Sequence, residues 1–201
     1  MVGNLAADYL RRREVLELDL ALQRGVILHR HIDHGTDTHP HVRRAWRLLR
    51  PHHGKYASVV YDILADYLLT RDWATFERAP LAEVAEGAYA AVREHAGGLP
   101  SSLAARLARM ASSDWLTQYG TYEGLDYVFT RFGRRLSKPE LLDGVIDSLR
   151  LHEEVLTAGF RSFYPWLQAS CARKRRELRH TRKDSEDELD HPGGSTPRSG
   201  S

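Results

Sequence analysis

Cysteine is almost absent from this sequence of 201 residues, because Cys171 is the only one. A single cysteine excludes an internal disulfide framework. The sequence also lacks an apolar segment at its start and any long uninterrupted apolar run, so neither a secretion signal nor a membrane-spanning helix is predicted. These absences predict a cytoplasmic protein with no membrane partner.

Motifs of several other enzyme classes are missing as well. There is no Gly-x-Ser-x-Gly segment of the kind that carries a catalytic serine, and no Gly-x-x-x-x-Gly-Lys loop for nucleotide phosphates. The formal net charge of +2 is too small to indicate a nucleic-acid partner. Hydrophobic residues make up 42% of the chain, which is enough for one full-sized core, and one domain is expected.

Apolar residues recur at helical spacing, and no segment alternates as a strand would. Helices are predicted over residues 4–13, 14–34, 40–50, 55–72, 81–95, 101–119, 122–132 and 138–178. The predicted fold is therefore all-α, a single-domain helical bundle over residues 1–178. The polar, low-complexity segment over residues 179–201 is predicted to be a disordered tail.

Proline and its polar neighbours predict where some helices begin and end. Asp37 or Thr38 is expected to cap the helix that starts near residue 40. Ser137 and Glu140 have the spacing of a capping box in front of the last helix. Pro165 is expected to kink or break that helix, because proline removes a backbone hydrogen bond.

Histidine and aspartate are densest between His29 and Pro40, where four histidines and two aspartates occur. If the helix continues to Asp33, then His29 and Asp33 lie one turn apart on the same face. An imidazole nitrogen and a carboxylate at this spacing suit Mn²⁺, Zn²⁺ or Fe²⁺, and additional carboxylates favour the harder of these ions. The alternative is a polar helix end, at which such side chains cap backbone groups.

A second pair of acidic residues lies within an otherwise apolar helix. Asp62 and Asp66 are four residues apart, so their charges repel unless a cation or a proton lies between them. Asp8 follows a short apolar segment at the start of the chain. From the residues alone, these carboxylates are either solvated or additional ligands of the same ion.

Taken in order, these segments resemble the successive motifs of the acyl carrier protein phosphodiesterase family. The most specific are the segment Gly25–Asp33 and its extension Thr36–Pro40. Further similar segments are Gly3–Tyr9, Tyr61–Asp66, Asp114–Leu116 with Tyr119, Arg134–Leu136 and Phe160–Pro165. The likeness covers residues 1–170, which is most of the chain.

The resemblance implies an all-helical fold distantly related to the HD-type metal phosphohydrolases. It also implies an activity, the hydrolysis of the phosphodiester that joins 4′-phosphopantetheine to holo acyl carrier protein, with a divalent metal, Mn²⁺, as cofactor. Metal-activated water would attack, so no protein nucleophile is required. Two alternatives stay open: a related hydrolase of another phosphoester such as a nucleotide, and a family member that binds carrier protein without turnover.

Specific residues can be carried over from the family motifs onto this chain. The metal candidates are Asp8, His29, Asp33 and Asp66. The catalytic candidates, which would position water or take its proton, are Asp8, Asp37 and Asp62. His31 ranks below the metal candidates.

The chain departs from the family pattern at two places. Family members usually begin with a further segment that carries a histidine near its start, whereas this chain opens with Met1-Val-Gly-Asn4, so a metal ligand from that segment is expected to be missing. The family also usually has Asp-His-Phe where this chain has Asp66-Tyr-Leu68. Weaker metal binding is expected from the second change, because tyrosine is a poor substitute for a histidine ligand.

Arginines close in sequence to the candidate site are predicted to bind the carrier protein, because carrier proteins are strongly acidic. The partner-binding candidates are Arg11, Arg12, Arg43 and Arg47, and Arg131, Arg134 and Arg135 form a further basic group. The alternative for each group is an ordinary solvated helix face. His52 and His53 are predicted to lie in a loop and to be replaceable without loss of function.

Overall fold

The computed structural model describes residues 2–112 and 118–189, and it contains no β-strand within those ranges. The α-helices are α1 (Val2–Ala6), α2 (Arg12–Glu17), α3 (Leu20–Thr38), α4 (Pro40–His53), α5 (Ala57–Arg71), α6 (Trp73–Phe76), α7 (Leu81–His95), α8 (Ser101–Ser112), α9 (Tyr122–Gly133) and α10 (Val145–Leu189). The predicted all-α fold class is confirmed. In the described part of the chain, none of these helices has the length and apolar composition that a membrane crossing requires.

The N-terminal region is more divided than its sequence pattern predicts. Instead of one helix over 4–13 and another over 14–34, it forms α1, a 3₁₀ turn at Ala7–Tyr9, α2 and α3. The break comes at Leu18, whose backbone is extended, and Asp19 then caps α3 by accepting a hydrogen bond from the backbone N–H of Leu22 at 2.8 Å. The apolar periodicity predicted one continuous helix over this region, but α2 ends before Asp19 and a new helix begins there with Asp19 as its N-cap.

The residue that caps α4 is also not the predicted one. His39, rather than Asp37 or Thr38, is the cap, and its Nδ1 accepts a hydrogen bond from the backbone N–H of His41 at 3.3 Å. Thr38 donates its hydroxyl to the carbonyl of His34 at 2.6 Å and so stays part of α3. The capping alternative is thus correct for one histidine of the cluster.

The capping box predicted before the last helix is wrong. Lys138 caps a 3₁₀ turn at Pro139–Leu142, while the Ser137 hydroxyl accepts a hydrogen bond from Nζ of Lys55 at 3.0 Å. Gly144 lies between this turn and α10 and has a φ of 70°. Glycine adopts this left-handed conformation without strain, so the chain can change direction here before α10 begins.

Helix α10 continues without a break through Pro165, so the predicted break is wrong. The side chains of Phe160 and Phe163 hold this part of the helix in the core. The helix extends to Leu189 and so enters the segment predicted as a tail, whereas residues 190–201 lie outside the described ranges.

The apolar side chains of the described residues form two cores. The larger core is built by α4, α5, α9 and α10, and its fully buried members include Leu49, Leu64 and Leu149. The smaller core joins α1, α2 and α3 to α7 and α8 around Leu22 and Val26. Helix α10 packs on α3 as well as on α4 and α5, which fixes α3 relative to the larger core.

Two glycines let α1 lie in backbone contact with α3. A Cβ atom added to Gly25 would come within 2.8 Å of the backbone nitrogen of Asn4 and of Cα of Gly3. A Cβ added to Gly3 would overlap the carbonyl of Leu22. The absence of side chains at these two positions therefore sets how closely the start of the chain approaches α3.

Candidate active site

Three of the predicted metal candidates come together at the surface. Nε2 of His29 lies 2.9 Å from Oδ1 of Asp8 and 3.3 Å from Oδ2 of Asp33. One ligand atom from each of the three residues lies within 4.8 Å of the other two. We call Asp8, His29 and Asp33 the ligand group.

The elements that carry the ligand group explain its geometry. His29 and Asp33 are one turn apart on α3, as the i, i+4 spacing predicts. Asp8 belongs to the 3₁₀ turn that follows α1, and it arrives beside His29 because α1 docks through Gly3 and Gly25. Asp8 and His29 are distant in sequence, and it is the backbone contact between α1 and α3 that brings them together.

Solvent reaches the ligand group from one side. The side chains of Asp8 and Asp33 are 70% and 53% exposed, whereas that of His29 is 18% exposed. Desolvation raises the pKa of Asp33, the charges of Asp8 and Asp37 add to the rise, and His29 opposes it. Negative charges therefore crowd around one half-buried imidazole, and a bound cation would relieve their repulsion.

Asp62 and Asp66 lie on α5, opposite this part of α3. Both side chains are exposed, although many protein atoms surround the two carboxyl groups. Desolvation and the charges of Asp37 and Asp33 raise the pKa of Asp62 to about 6. Desolvation and the charge of Asp62 raise the pKa of Asp66 to about 7. We call the surface formed by Asp33, Asp37, Asp62 and Asp66 the carboxylate cleft.

Asp66 is not close enough to all three members of the ligand group to share one ion with them in this arrangement. The charge of Asp62 acts on Asp66, and the charges of Asp37 and Asp33 act in turn on Asp62. The sequence predicted a single set of four ligands. Among the described residues, the structure brings three of them together and leaves the carboxylate of Asp66 outside that set.

The donor atoms of the ligand group fit a divalent transition-metal ion. Two ligands that bind one ion at about 2.1 Å and at a right angle are about 3 Å apart. The measured separations of 2.9 Å and 3.3 Å are close to that value. One imidazole nitrogen and two carboxylates are also a donor set that Mn²⁺, Fe²⁺ and Zn²⁺ accept.

One histidine and one tyrosine that the sequence analysis considered have other roles. His31 forms a hydrogen bond through Nε2 to the hydroxyl of Ser170 on α10 at 2.9 Å. Tyr67 is buried in the larger core and stacks on Tyr122 with ring centroids 5.7 Å apart. The position at which the family usually has histidine therefore faces the core of this chain rather than the carboxylate cleft.

His53 also differs from its prediction. Pro51, His52 and His53 belong to α4 rather than to a loop. His53 is fully buried, and its two ring nitrogens form hydrogen bonds of 2.8 Å with the Leu141 carbonyl and with the Ser148 hydroxyl. Its replacement would leave buried polar groups without partners, so His53 is structural, whereas His52 is exposed.

The predicted partner-binding arginines are all exposed. Nε of Arg43 donates a hydrogen bond to the backbone carbonyl of Asp37 at 2.9 Å, and Nε of Arg47 donates one to the carbonyl of Arg43 at 3.3 Å. Arg43 thus lies where α3 turns into α4, and Arg47 lies one turn further along α4. Arg11 and Arg12 begin α2, just after Asp8.

Asn4 is a polar neighbour of the site that the sequence did not single out. Its Oδ1 lies 3.4 Å from Nδ1 of His29, on the opposite edge of the ring from the ligand group. The only sequence signal was its place between Gly3 and Asp8, in a segment without a recognisable function by itself. The similar segment Asp114–Leu116 lies outside the described residues.

Comparisons with known proteins identify a family to which this chain is similar. The family model described as acyl carrier protein phosphodiesterase matches residues 1–167. A curated protein of that name from Enterobacter sp. (strain 638) is 27% identical over 173 residues, which cover 86% of this chain and 90% of the relative. Its counterpart from Salmonella agona (strain SL483) is 28% identical with the same coverage, and that from Yersinia pestis is 25% identical, covering 87% and 91%. No solved structure matches the chain.

Proposed function

This chain belongs to the acyl carrier protein phosphodiesterase family, and on that premise we propose that it hydrolyses holo acyl carrier protein. The proposed reaction adds water across the phosphodiester between 4′-phosphopantetheine and the carrier protein's serine. The products are 4′-phosphopantetheine and the apo carrier protein. The observation that supports this function most is the ligand group, which places one imidazole and two carboxylates at an accessible surface.

Asp8, His29 and Asp33 are proposed to hold a divalent cation, with Mn²⁺ as the expected metal. The surplus of carboxylates in the adjoining cleft favours this harder ion over Zn²⁺. When bound, such an ion supplies Lewis acidity, which makes water a stronger acid and withdraws charge from phosphoryl oxygens. Asp66 stays a candidate for a fourth ligand, because its carboxylate has no hydrogen-bond or ion-pair partner among the described residues.

Asp37 and Asp62 are proposed to act on water rather than on the metal. Both lie outside the ligand group, and Asp62 is close enough to Asp33 and Asp37 for their charges to affect it. A carboxylate beside the ligand group can orient a water molecule toward phosphorus and accept its proton. The electron pair of the cleaved P–O bond then stays with the serine oxygen, which takes up a proton.

The exposure of the site suits a substrate carried by another protein. Asp8 and Asp33 are more than half exposed, so a phosphodiester attached to a folded partner can reach them without the partner entering the molecule. Arg43 and Arg47 are proposed to attract the acidic carrier protein. Arg11 and Arg12 are proposed to contribute on the side of α2, where charge would act mainly on the rate of association.

The function is tested by removing single members of the ligand group. Conversion of holo to apo carrier protein, followed by mass spectrometry, is expected to be lost in His29→Ala and in Asp33→Ala, because each change removes a metal ligand. Far-ultraviolet circular dichroism should report an unchanged helix content. His52→Ala is the matched control, since His52 is exposed and outside the cleft, and it should retain full conversion.

A panel of substrates distinguishes the proposed function from its alternatives. Conversion by His29→Ala at the rate of the unmodified protein would contradict the role of the ligand group. Metal-dependent hydrolysis of nucleotides with no action on holo carrier protein would point to a different phosphoester. Tight binding of carrier protein by a chain that neither binds metal nor converts the substrate would identify a binding protein.

A further inference from the structure

The imidazole of His29 is contacted at both of its nitrogens. Nε2 faces Asp8 and Asp33 at 2.9 Å and 3.3 Å, and Nδ1 faces Oδ1 of Asn4 at 3.4 Å. A neutral imidazole has one N–H and one free electron pair, and only the electron pair can bind a cation. The hydrogen-bond partner of one nitrogen therefore decides which nitrogen is available to a metal.

We propose that Asn4 is a positioning residue, whose amide oxygen accepts a hydrogen bond from Nδ1–H of His29 and so directs the free electron pair of Nε2 toward Asp8 and Asp33. This inference rests on the proposed function, because it presupposes that the ligand group holds a cation. An outer partner of this kind fixes the tautomer and the orientation of a histidine ligand, and losing one typically costs 10- to 100-fold in metal affinity.

The position of Asn4 is determined by the same backbone contact that places Asp8. Gly25 contacts the backbone nitrogen of Asn4, and His29 lies one turn further along α3, so the contact holds the side chain of Asn4 beside His29. Packing does not explain the asparagine, because the buried side chains of α1 are those of Val2 and Ala6, while Asn4 is only half-buried. The amide oxygen of Asn4 faces the ring of His29. A role in packing alone would not explain this contact.

His29 and its neighbour His31 lie on the same helix but have different hydrogen-bond partners. Nε2 of His31 forms its hydrogen bond with the hydroxyl of Ser170 on α10, which is not a member of the ligand group. Removing the Ser170 hydroxyl therefore removes a histidine hydrogen bond of similar kind without touching the ligand group. Ser170→Ala provides a matched control for the loss of the Asn4 hydrogen bond.

Two substitutions of Asn4 separate hydrogen bonding from packing. Asn4→Leu keeps the branching and the number of side-chain heavy atoms and removes the acceptor, whereas Asn4→Asp keeps an oxygen acceptor in the same place. Titration of the full-length protein with Zn²⁺, a diamagnetic probe, is expected to give a dissociation constant about 10- to 100-fold higher for Asn4→Leu. Asn4→Asp should bind at least as tightly as the unmodified protein, and Ser170→Ala should bind equally well.

Nuclear magnetic resonance of the Zn²⁺-loaded protein supplies a readout that a packing role would not change. The Nδ1–H proton of His29, assigned by its disappearance in His29→Gln, is expected to exchange slowly with water in the unmodified protein and in Asn4→Asp. It should exchange rapidly in Asn4→Leu. Coordination through Nδ1, or a Zn²⁺ affinity that Asn4→Leu leaves unchanged, would overturn the inference while the proposed function stands. Failure of the unmodified protein to bind Zn²⁺ or Mn²⁺ would overturn the ligand group, and the inference with it.

Discussion

The two sides of the carboxylate cleft are built in different ways. On one side, the ligand group depends on α1, a helix of five residues that reaches α3 through a contact between glycines. On the other side, Asp62 and Asp66 project from α5, whose remaining faces are held in the larger core by Tyr61, Leu64 and Leu68. We therefore expect the proposed metal site and the global stability of the protein to depend on different parts of the molecule.

The largest expected effect concerns the side formed by α5. Leu64 is fully buried in the larger core, and Leu64→Ala should lower the free energy of unfolding by about 2–5 kcal/mol, through lost burial and a residual cavity. The Zn²⁺ affinity of the protein that remains folded should be unchanged. Denaturant unfolding and metal titration measure the two quantities. Leu16→Ala is the matched control, because Leu16 is 71% exposed, and its effect should stay within about 0.5 kcal/mol.

The next effect is the stabilisation of the protein by metal. Saturation of the ligand group should raise the free energy of unfolding by about 2.7 kcal/mol when free Mn²⁺ is about 100 times the dissociation constant. Asp33→Asn should lose most of this gain, as followed by thermal unfolding with and without Mn²⁺. Asp147→Asn makes the same change at an aspartate that is 82% exposed on α10 and should keep the gain. Equal gains in both variants would mean that the ion binds elsewhere.

A smaller but more specific effect is expected at the glycine contact. Gly25→Ala should cost about 1–3 kcal/mol, because its methyl group would meet the backbone of Gly3 and Asn4. It should also weaken Zn²⁺ binding, although Gly25 is not itself a ligand. Gly87→Ala, in α7 with no neighbour near its added methyl group, should instead stabilise the protein by about 0.5–1 kcal/mol and leave Zn²⁺ binding unchanged. Unweakened metal binding in Gly25→Ala would show that the docking of α1 does not position the ligand group.

The smallest effect is expected at two arginines of α4. Replacing Arg43 and Arg47 by glutamate should raise KM for holo carrier protein by about tenfold at low salt and flatten its salt dependence, because like charges then oppose association. Hydrolysis of a small phosphodiester, which needs no docking, should change little. The same double change at Arg131 of α9 and at Arg134, the residue that follows α9, is the control. A larger rise in KM for that pair would move the docking surface to α9.

Much of the fold followed from apolar periodicity, since α7 was predicted with its observed bounds and α4, α5 and α9 within a few residues. The errors lie where a side chain or a glycine competes with that periodicity. Asp19 caps α3 in the middle of a continuous apolar pattern, and Gly144 separates a short turn from α10. Such terminations depend on one hydrogen bond or one backbone angle, which a hydrophobic pattern does not encode.

The site was predictable in part for a similar reason. The i, i+4 spacing on one helix placed His29 beside Asp33, and the motifs identified the family that the match over residues 1–167 confirms. The distance between Asp66 and the ligand group, by contrast, depends on how α3 and α5 are held apart by α4 and α10. The contact between Asn4 and His29 also depends on tertiary structure, because it forms only when α1 docks on α3 through Gly3 and Gly25.

The central claim is that the ligand group on α1 and α3 holds the divalent ion on which hydrolysis depends. Its most direct test is to strip the full-length protein with a chelator, titrate Mn²⁺ back, and measure bound Mn²⁺ and the conversion of holo to apo carrier protein on the same samples. We expect stripped protein to be inactive and conversion to return in proportion to Mn²⁺ bound at Asp8, His29 and Asp33, with no return in His29→Ala. Full conversion by stripped protein, or restored conversion in His29→Ala, would contradict the claim.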